Sequence, residues 1–351
     1  MMPDHVPVPP EALRLHLDTD ALVANWRALD ALSGAASAGA AIKADAYGLG
    51  AKRVAPLLHQ AGCRDFFVAH WCEVADVLAA VPSNAVAVLH GPRNAAEAAF
   101  AKAVAVRPVI NSLDQARVWH EAGGGRCDVM VDTGINRLGL RLDDLGDPLV
   151  QGLDVEVLMS HLASAEEDVA LNATQRARWQ AASRSLRHRR TSLANSAGIA
   201  LGDGYHGDLT RPGIALYGGV PRPELAGVIR QVARPMAALL QIRRLEAGDS
   251  VGYNATFTAP AAMRAGVVAL GYADGFLRSW SAGKGVMLHQ GRALPVLGRV
   301  SMDMTVIDLT HAPDLQEGDW VEAAYDLPQA AERSGLSQYE LLTLLGGRFA
   351  R

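Results

Sequence analysis

Phe66-Phe67-Val68-Ala69 and Ala85-Val86-Ala87-Val88-Leu89 are short, unbroken apolar runs. Val129–Val131 and Val155–Met159 are runs of the same kind, while Ala21–Leu32 and Leu171–Leu186 are helix-like stretches rich in Ala, Leu and Arg. From about Leu15 to Tyr217 the two textures alternate. Strand followed by helix, repeated, predicts parallel strands joined by helical crossovers. Over that length a (β/α)8 barrel of the TIM type is the leading α/β architecture, with an open doubly wound sheet second.

The texture changes after about Pro235. Ala265–Leu270, Gly285–Leu288, Thr305–Leu309, Val251–Tyr253 and Trp320–Ala324 are separated by turn-forming Gly, Asp and Pro. This predicts a mainly antiparallel β domain with a short helix near Tyr339–Leu345. Pro221 and Pro223 place the linker near Gly219–Pro235. The expected domains are therefore 1–230, the barrel, and 231–351, a mainly β C-terminal domain.

The 351 residues are half hydrophobic, enough for a sizeable core, and 20% charged. A formal net charge of −4 gives no reason to expect nucleic acid or an anionic membrane as partner. Cys63, Cys72 and Cys127 form no C-x-x-C pair, and an odd count suits a reducing compartment. Met1 to Pro10 carries no basic region followed by an apolar stretch, and no run is long enough to span a bilayer. A cytoplasmic protein is expected. The 11 histidines show no H-E-x-x-H grouping, so no metal is expected.

The chemistry begins at Ala41-Ile42-Lys43-Ala44-Asp45-Ala46-Tyr47-Gly48-Leu49-Gly50. A lysine directly after an apolar run falls where a barrel strand ends, on the face that carries active sites. An apolar wall disfavours its ammonium form and prepares the amine for covalent attachment to an aldehyde. Taken alone, such a lysine also reads as an ordinary surface residue. The tyrosine and glycine-bared amides that follow suit a phosphate. Asn195-Ser196-Ala197-Gly198 can open a helix with a hydroxyl and free N–H groups, as a phosphate site or as a plain N-cap. Arg211-Pro212-Gly213-Ile214 offers a further bared amide.

Together these strings resemble the alanine racemase family, and the likeness continues in order along nearly the whole chain. It runs through Val131-Asp132-Thr133-Gly134-Ile135-Asn136-Arg137-Leu138-Gly139, Ser160-His161-Leu162-Ala163, Ser250-Val251-Gly252-Tyr253-Asn254-Ala255-Thr256 and Gly271-Tyr272-Ala273-Asp274-Gly275. It ends with Gly298-Arg299-Val300-Ser301-Met302-Asp303 and Tyr339-Glu340. The resemblance implies an isomerase that interconverts L- and D-alanine using pyridoxal 5'-phosphate, supplying D-alanine for peptidoglycan. It implies Lys43 as the cofactor-bearing base and Tyr253 as the base on the opposite face. Tyr47, Ser196, Gly213, Ile214 and Tyr339 would hold the phosphate, Arg211 would meet the pyridine nitrogen, and His161 would pack beside the cofactor. Arg137, Met302 and Asp303 would bind the amino-acid substrate, with Tyr272, Arg278 and Arg299 along the entrance. It also implies a head-to-tail homodimer in which Tyr253, Met302 and Asp303 of one subunit cover the cofactor of the other.

Two positions depart from the family pattern: Met130 stands where many members carry a lysine that becomes carbamylated, and Met304 where a glutamine is common. Three other activities remain compatible with the strings. A pyridoxal-phosphate-carrying regulatory protein would need no Tyr253 or Met302-Asp303, a decarboxylase would release carbon dioxide, and a racemase of serine or of broad specificity would share every motif.

Overall fold

The computed structural model describes residues 10–350, so the leader reading, except at Pro10, lies outside the described residues. The chain forms two compact units. One is Thr19–Arg230; the other joins residues up to Asp18 with those from Gln231 onward.

β1 (Leu13–Leu17) stands apart from the parallel strands. In the unit Thr19–Arg230, the parallel strands run in sequence order: β3 (Ala40–Ala41), β4 (Phe66–Val68), β5 (Val86–Val88), β6 (Arg107–Ile110), β7 (Arg126–Met130), β8 (Asp154–Met159) and β9 (Arg190–Ser192). β10 (Leu209–Thr210) pairs in parallel with β2 (Ser37–Ala38), which leads into β3 through Gly39. Gly39 N donates to Thr210 O (2.9 Å), Ala41 N to Pro212 O (2.9 Å) and Arg211 N to Ala194 O (2.8 Å). The last strand therefore lies between the first and the seventh, and the ring closes as the expected (β/α)8 barrel. Closure leaves no room for the open doubly wound alternative.

β4 and β5 are buried along their whole length, as strands covered on both faces must be. Phe67, Ala87, Val109, Met130, Val157, Met159 and Leu209 pack together from neighbouring strands. The helix Thr19–Leu32 buries Ala21, Leu22, Asn25, Trp26 and Leu29, one face of a 3.6-residue period. Gly39 fits because a Cβ there would sit 2.9 Å from Asp65 O. At one end of the barrel, Arg107 pairs with the fully buried Asp128 (3.1 Å) and with Asp65 (3.2 Å), and Arg190 holds Asp65 with two bonds of 2.8 Å.

The second unit is an antiparallel sheet of β1, β11 (Ala233–Leu245), β14 (Met263–Val268), β17 (Thr305–Asp308), β16 (Arg292–Leu297), β15 (Val286–His289) and β18 (Trp320–Ala323); β18 returns to pair with β11. β12 (Ser250–Val251) and β13 (Phe257–Thr258) form a separate hairpin. The expected short helix is Gln338–Thr343, capped by Ser337, and a second helix not expected from the sequence, Leu327–Ser334, precedes it, capped by Asp326.

Two boundaries differ from the sequence reading. Residues 10–18, assigned there to the barrel domain, belong to the second unit, because β1 alternates buried and exposed residues and pairs antiparallel with β11. Pro235, expected in the linker, is already inside β11 opposite Leu15. Leu15 N donates to Ala350 O (2.9 Å) rather than to β11, so Leu15 and Pro235 face each other as a non-hydrogen-bonded pair, where the missing proline N–H breaks no ladder bond.

Candidate active site

Parallel strands bring all their C-terminal ends to one rim of a barrel. Lys43 follows β3, Arg137 lies in the loop after β7, His161 follows β8, Ser196 comes after β9 and Gly213 after β10. Positions more than 150 residues apart in sequence thus share one rim.

Lys43 enters a turn of unusual hand. Ala44, Asp45 and Ala46 have φ of 54°, 53° and 54°, and Tyr47 has φ 56°. Left-handed backbone costs L-residues about 1–2 kcal/mol each, so the turn stores several kcal/mol. It is stitched by Ala46 N to Ile42 O (2.9 Å), Gly48 N to Ala44 O (2.8 Å) and Ala51 N to Asp45 Oδ1 (2.7 Å). Such strain persists where its surroundings over-determine it, commonly at working sites.

The electrostatics of the rim are cationic. Burial first, then Arg137, holds the Lys43 amine below the usual lysine range; Glu73 opposes this and Arg211 adds to it. Burial, reinforced by Arg211, Arg137 and Lys43, lowers the His161 imidazole to about 3, so it stays neutral at working pH. Arg211 is buried, donates to Ser160 O (2.5 Å) and to Ser192 Oγ, and is lowered by burial to about 10. It remains a guanidinium at neutral pH, a donor without an acceptor atom. Arg137 is exposed.

Beside these cations lies a cradle of hydroxyls and bared amides. Burial pushes Tyr47 up to about 12, leaving a neutral hydroxyl donor. A Cβ on Gly213 would fall 2.3 Å from Tyr47 Oη, so only glycine lets this backbone approach the hydroxyl. Ser196 Oγ accepts the N–H of Gly213 (2.8 Å) and of Ala215 (3.3 Å). The cap of its short helix is Asn195, whose side chain accepts Gly198 N (2.8 Å), which leaves the Ser196 hydroxyl to the cradle. Ile214 is buried at the start of the next turn. Tyr217 supports the floor, its ring 4.8 Å from that of Tyr47 and its hydroxyl donating to Ala41 O (2.9 Å).

Tyr253, Met302, Asp303 and Tyr339 belong to the second unit. Tyr253 is not in a strand, as its apolar neighbours suggested, but opens a turn after Gly252 and is 63% exposed. Asn254 and Ala255 behind it have φ of 63° and 45°. Met302 is 53% exposed, and Asp303 pairs with Arg348 (2.7 Å). Tyr272 N and Ala273 N donate to Ser301 O and Met302 O (both 3.0 Å), clamping two family-like loops together. Gly271 permits this, since a Cβ there would lie 2.3 Å from Met302 O. Arg278 lies over the Tyr272 ring at 5.6 Å.

Sequence reading missed Glu73, Ser192 and Arg348, and gave Tyr217 no role although it lies in the family-like string Arg211-Pro212-Gly213-Ile214-Ala215-Leu216-Tyr217-Gly218. Glu73 sits just past the apolar run of β4, a strand-end position that would have drawn notice; Ser192 and Arg348 carry no local signal. Among the described residues no cluster suited to a metal is present, and no helix is long and apolar enough to cross a membrane.

Comparison with known proteins gives the same picture. Residues 17–221 match the model of the alanine racemase N-terminal domain and residues 232–351 that of the C-terminal domain. The chain is 42% identical over 350 residues to an alanine racemase of Acidiphilium cryptum, covering 96% of this chain and 97% of that one. It is 43% identical over 355 residues to one from Rhodospirillum rubrum, covering 96% and 94%. Among solved structures, an alanine racemase from Bartonella henselae with covalently bound pyridoxal phosphate superposes with a TM-score of 0.89 at 34% identity, covering 97% of this chain and 99% of the other. The chain belongs to the alanine racemase family.

Proposed function

We propose that the chain interconverts L- and D-alanine in the cytoplasm, with pyridoxal 5'-phosphate attached to Lys43, and supplies D-alanine for peptidoglycan. The observation that carries this reading is the shared rim: a partly buried lysine with a lowered pKa faces two arginines beside the Tyr47–Ser196–Gly213 cradle. The residues fit the cofactor. Neutral Tyr47, Ser196 and the amides of Gly213 and Ile214 are donors for a dianionic phosphate, and family likeness assigns Tyr339 to the same phosphate. Arg211 would donate to the pyridine nitrogen without surrendering a proton, so the ring would be a moderate electron sink.

When bound, the cofactor withdraws electrons from the substrate α-carbon and makes its proton acidic. The chain places the bases. Lys43 Nζ, whose ammonium form is disfavoured by burial, takes the α-proton of D-alanine, and Tyr253 Oη returns one to the opposite face; L-alanine runs the sequence in reverse. Neutral His161 keeps further charge away from the amine, Arg137 binds the carboxylate side, and Met302 and Asp303 bound the substrate pocket. Two opposed bases require Tyr253 to face Lys43, and a head-to-tail homodimer with shared sites meets that requirement.

Borohydride reduction of the purified protein followed by peptide mapping tests the attachment: the adduct is expected on Lys43, and a stable adduct on another lysine overturns it. A racemisation screen over a panel of amino acids, alanine and serine included, tests the substrate. Carbon dioxide release without loss of optical activity would make it a decarboxylase instead.

A further inference from the structure

We propose that Glu73 is a positioning residue for the reacting amine of Lys43, fixing the left-handed turn that follows it; this rests on the assignment of Lys43 made above. Glu73 closes the short turn Trp71–Glu73 after β4. One carboxylate oxygen accepts the N–H of Ala44 (2.5 Å), and the other accepts those of Ala69 (2.7 Å) and His70 (2.8 Å). A single anion thus ties the residue after Lys43 to the end of the neighbouring strand. Hydrogen bonds to an ionised acceptor are about twice as strong as neutral ones. The bonds Ala46 N to Ile42 O, Gly48 N to Ala44 O and Ala51 N to Asp45 Oδ1 stay within residues 42–51, whereas the Glu73 bond ties Ala44 to the segment after the neighbouring strand.

The same carboxylate acts through charge. Arg137 and Arg211 favour the neutral Lys43 amine, whereas Glu73 favours the ammonium. Burial and then His70, whose ring meets that of His90 edge-on at 4.2 Å, hold the His90 imidazole below its ordinary range, and Glu73 opposes them. Glutamine at this position would keep one acceptor oxygen, turn an NH2 toward N–H donors and delete the charge. Both the fixed turn and the balance of charge on Lys43 would be lost together.

The test compares the cofactor-loaded wild type with Glu73→Gln and Glu73→Asp. Amide hydrogen exchange read by mass spectrometry should accelerate in the peptide spanning 44–50 of Glu73→Gln while β7 and β8 stay protected. Its kcat for alanine should fall about 10²-fold, the scale of a misplaced reacting group. The acid limb of kcat, which reports the Lys43 amine once the substrate has displaced it, should move to lower pH, because the charge that favours the ammonium is gone; a role in packing alone would lower the rate without moving the limb. Unchanged exchange at 44–50 together with an unmoved limb overturns the proposal. Should Glu73→Gln not fold, Glu73→Asp, which keeps the charge but is too short to span both segments, must lose protection at 44–50 with the limb in place; retained protection overturns the proposal. Borohydride trapping on the same samples separates this from the reading beneath it, since an adduct on another lysine removes Lys43 itself.

Discussion

Arg348 bridges two carboxylates: its Nη1 lies 2.7 Å from Asp303 Oδ1 while its Nε lies 2.7 Å from Oδ1 of Asp274. Asp274 is fully buried and also accepts Gly271 N (3.0 Å), so the bridge anchors the loop that presents Met302 and Asp303. Arg348→Met is expected to leave Asp274 without its cation and Asp303 unheld. Hydrogen bonds to charged groups contribute about 1.5–3 kcal/mol, and a loss on that scale should show in urea unfolding. KM for alanine should rise more than kcat falls; an unchanged KM would show that Asp303 needs no support from Arg348.

Tyr253→Phe removes one hydroxyl and keeps the ring. Proton abstraction from L-alanine should fall by about 10²–10⁴-fold, the usual contribution of a placed acid–base group, and from D-alanine far less. Exchange of the α-proton with deuterated solvent, followed separately for each enantiomer, measures this. Equal residual exchange from both enantiomers would mean that Tyr253 serves neither face in particular.

Met130 lies in the barrel interior among Phe67, Val109 and Met159, and its thioether supplies no negative charge to Arg137. Arg137 is therefore expected to take another acceptor, a carboxylate, a backbone carbonyl or a bound anion such as chloride, and activity should not depend on bicarbonate. The assay is activity after degassing at mildly acidic pH and again after adding bicarbonate at constant pH and ionic strength. Recovery on addition, with a carbamate mass on some lysine, would defeat this expectation.

Arg107→Met strands Asp128, a carboxylate with no solvent exposure. Removing one partner of a buried pair costs about 3–5 kcal/mol, and the variant should lose stability on that scale. Replacing both residues, as Arg107→Met with Asp128→Leu, should recover much of it. If the single variant proves as stable as wild type in thermal unfolding, the network does not hold the barrel.

The succession of parallel strands and helices, the change to an antiparallel domain, and the strings that carry family likeness are all legible in the amino-acid sequence. These are local: runs such as Phe66–Ala69 must be buried on both faces, and Lys43 or Ser196 sits at a strand or helix end whatever surrounds it. Tertiary structure decided what depends on pairs distant in the chain. Ring closure needs Gly39 beside Thr210, and the assignment of Leu13–Leu17 to the C-terminal unit needs its antiparallel partner in β11. The low pKa of His161 comes from burial and from three cations that the barrel gathers around it. The left-handed turn after Lys43 is equally non-local. Ala, Asp and Tyr have no marked preference for that backbone as a run, and a carboxylate from the next strand helps to hold it.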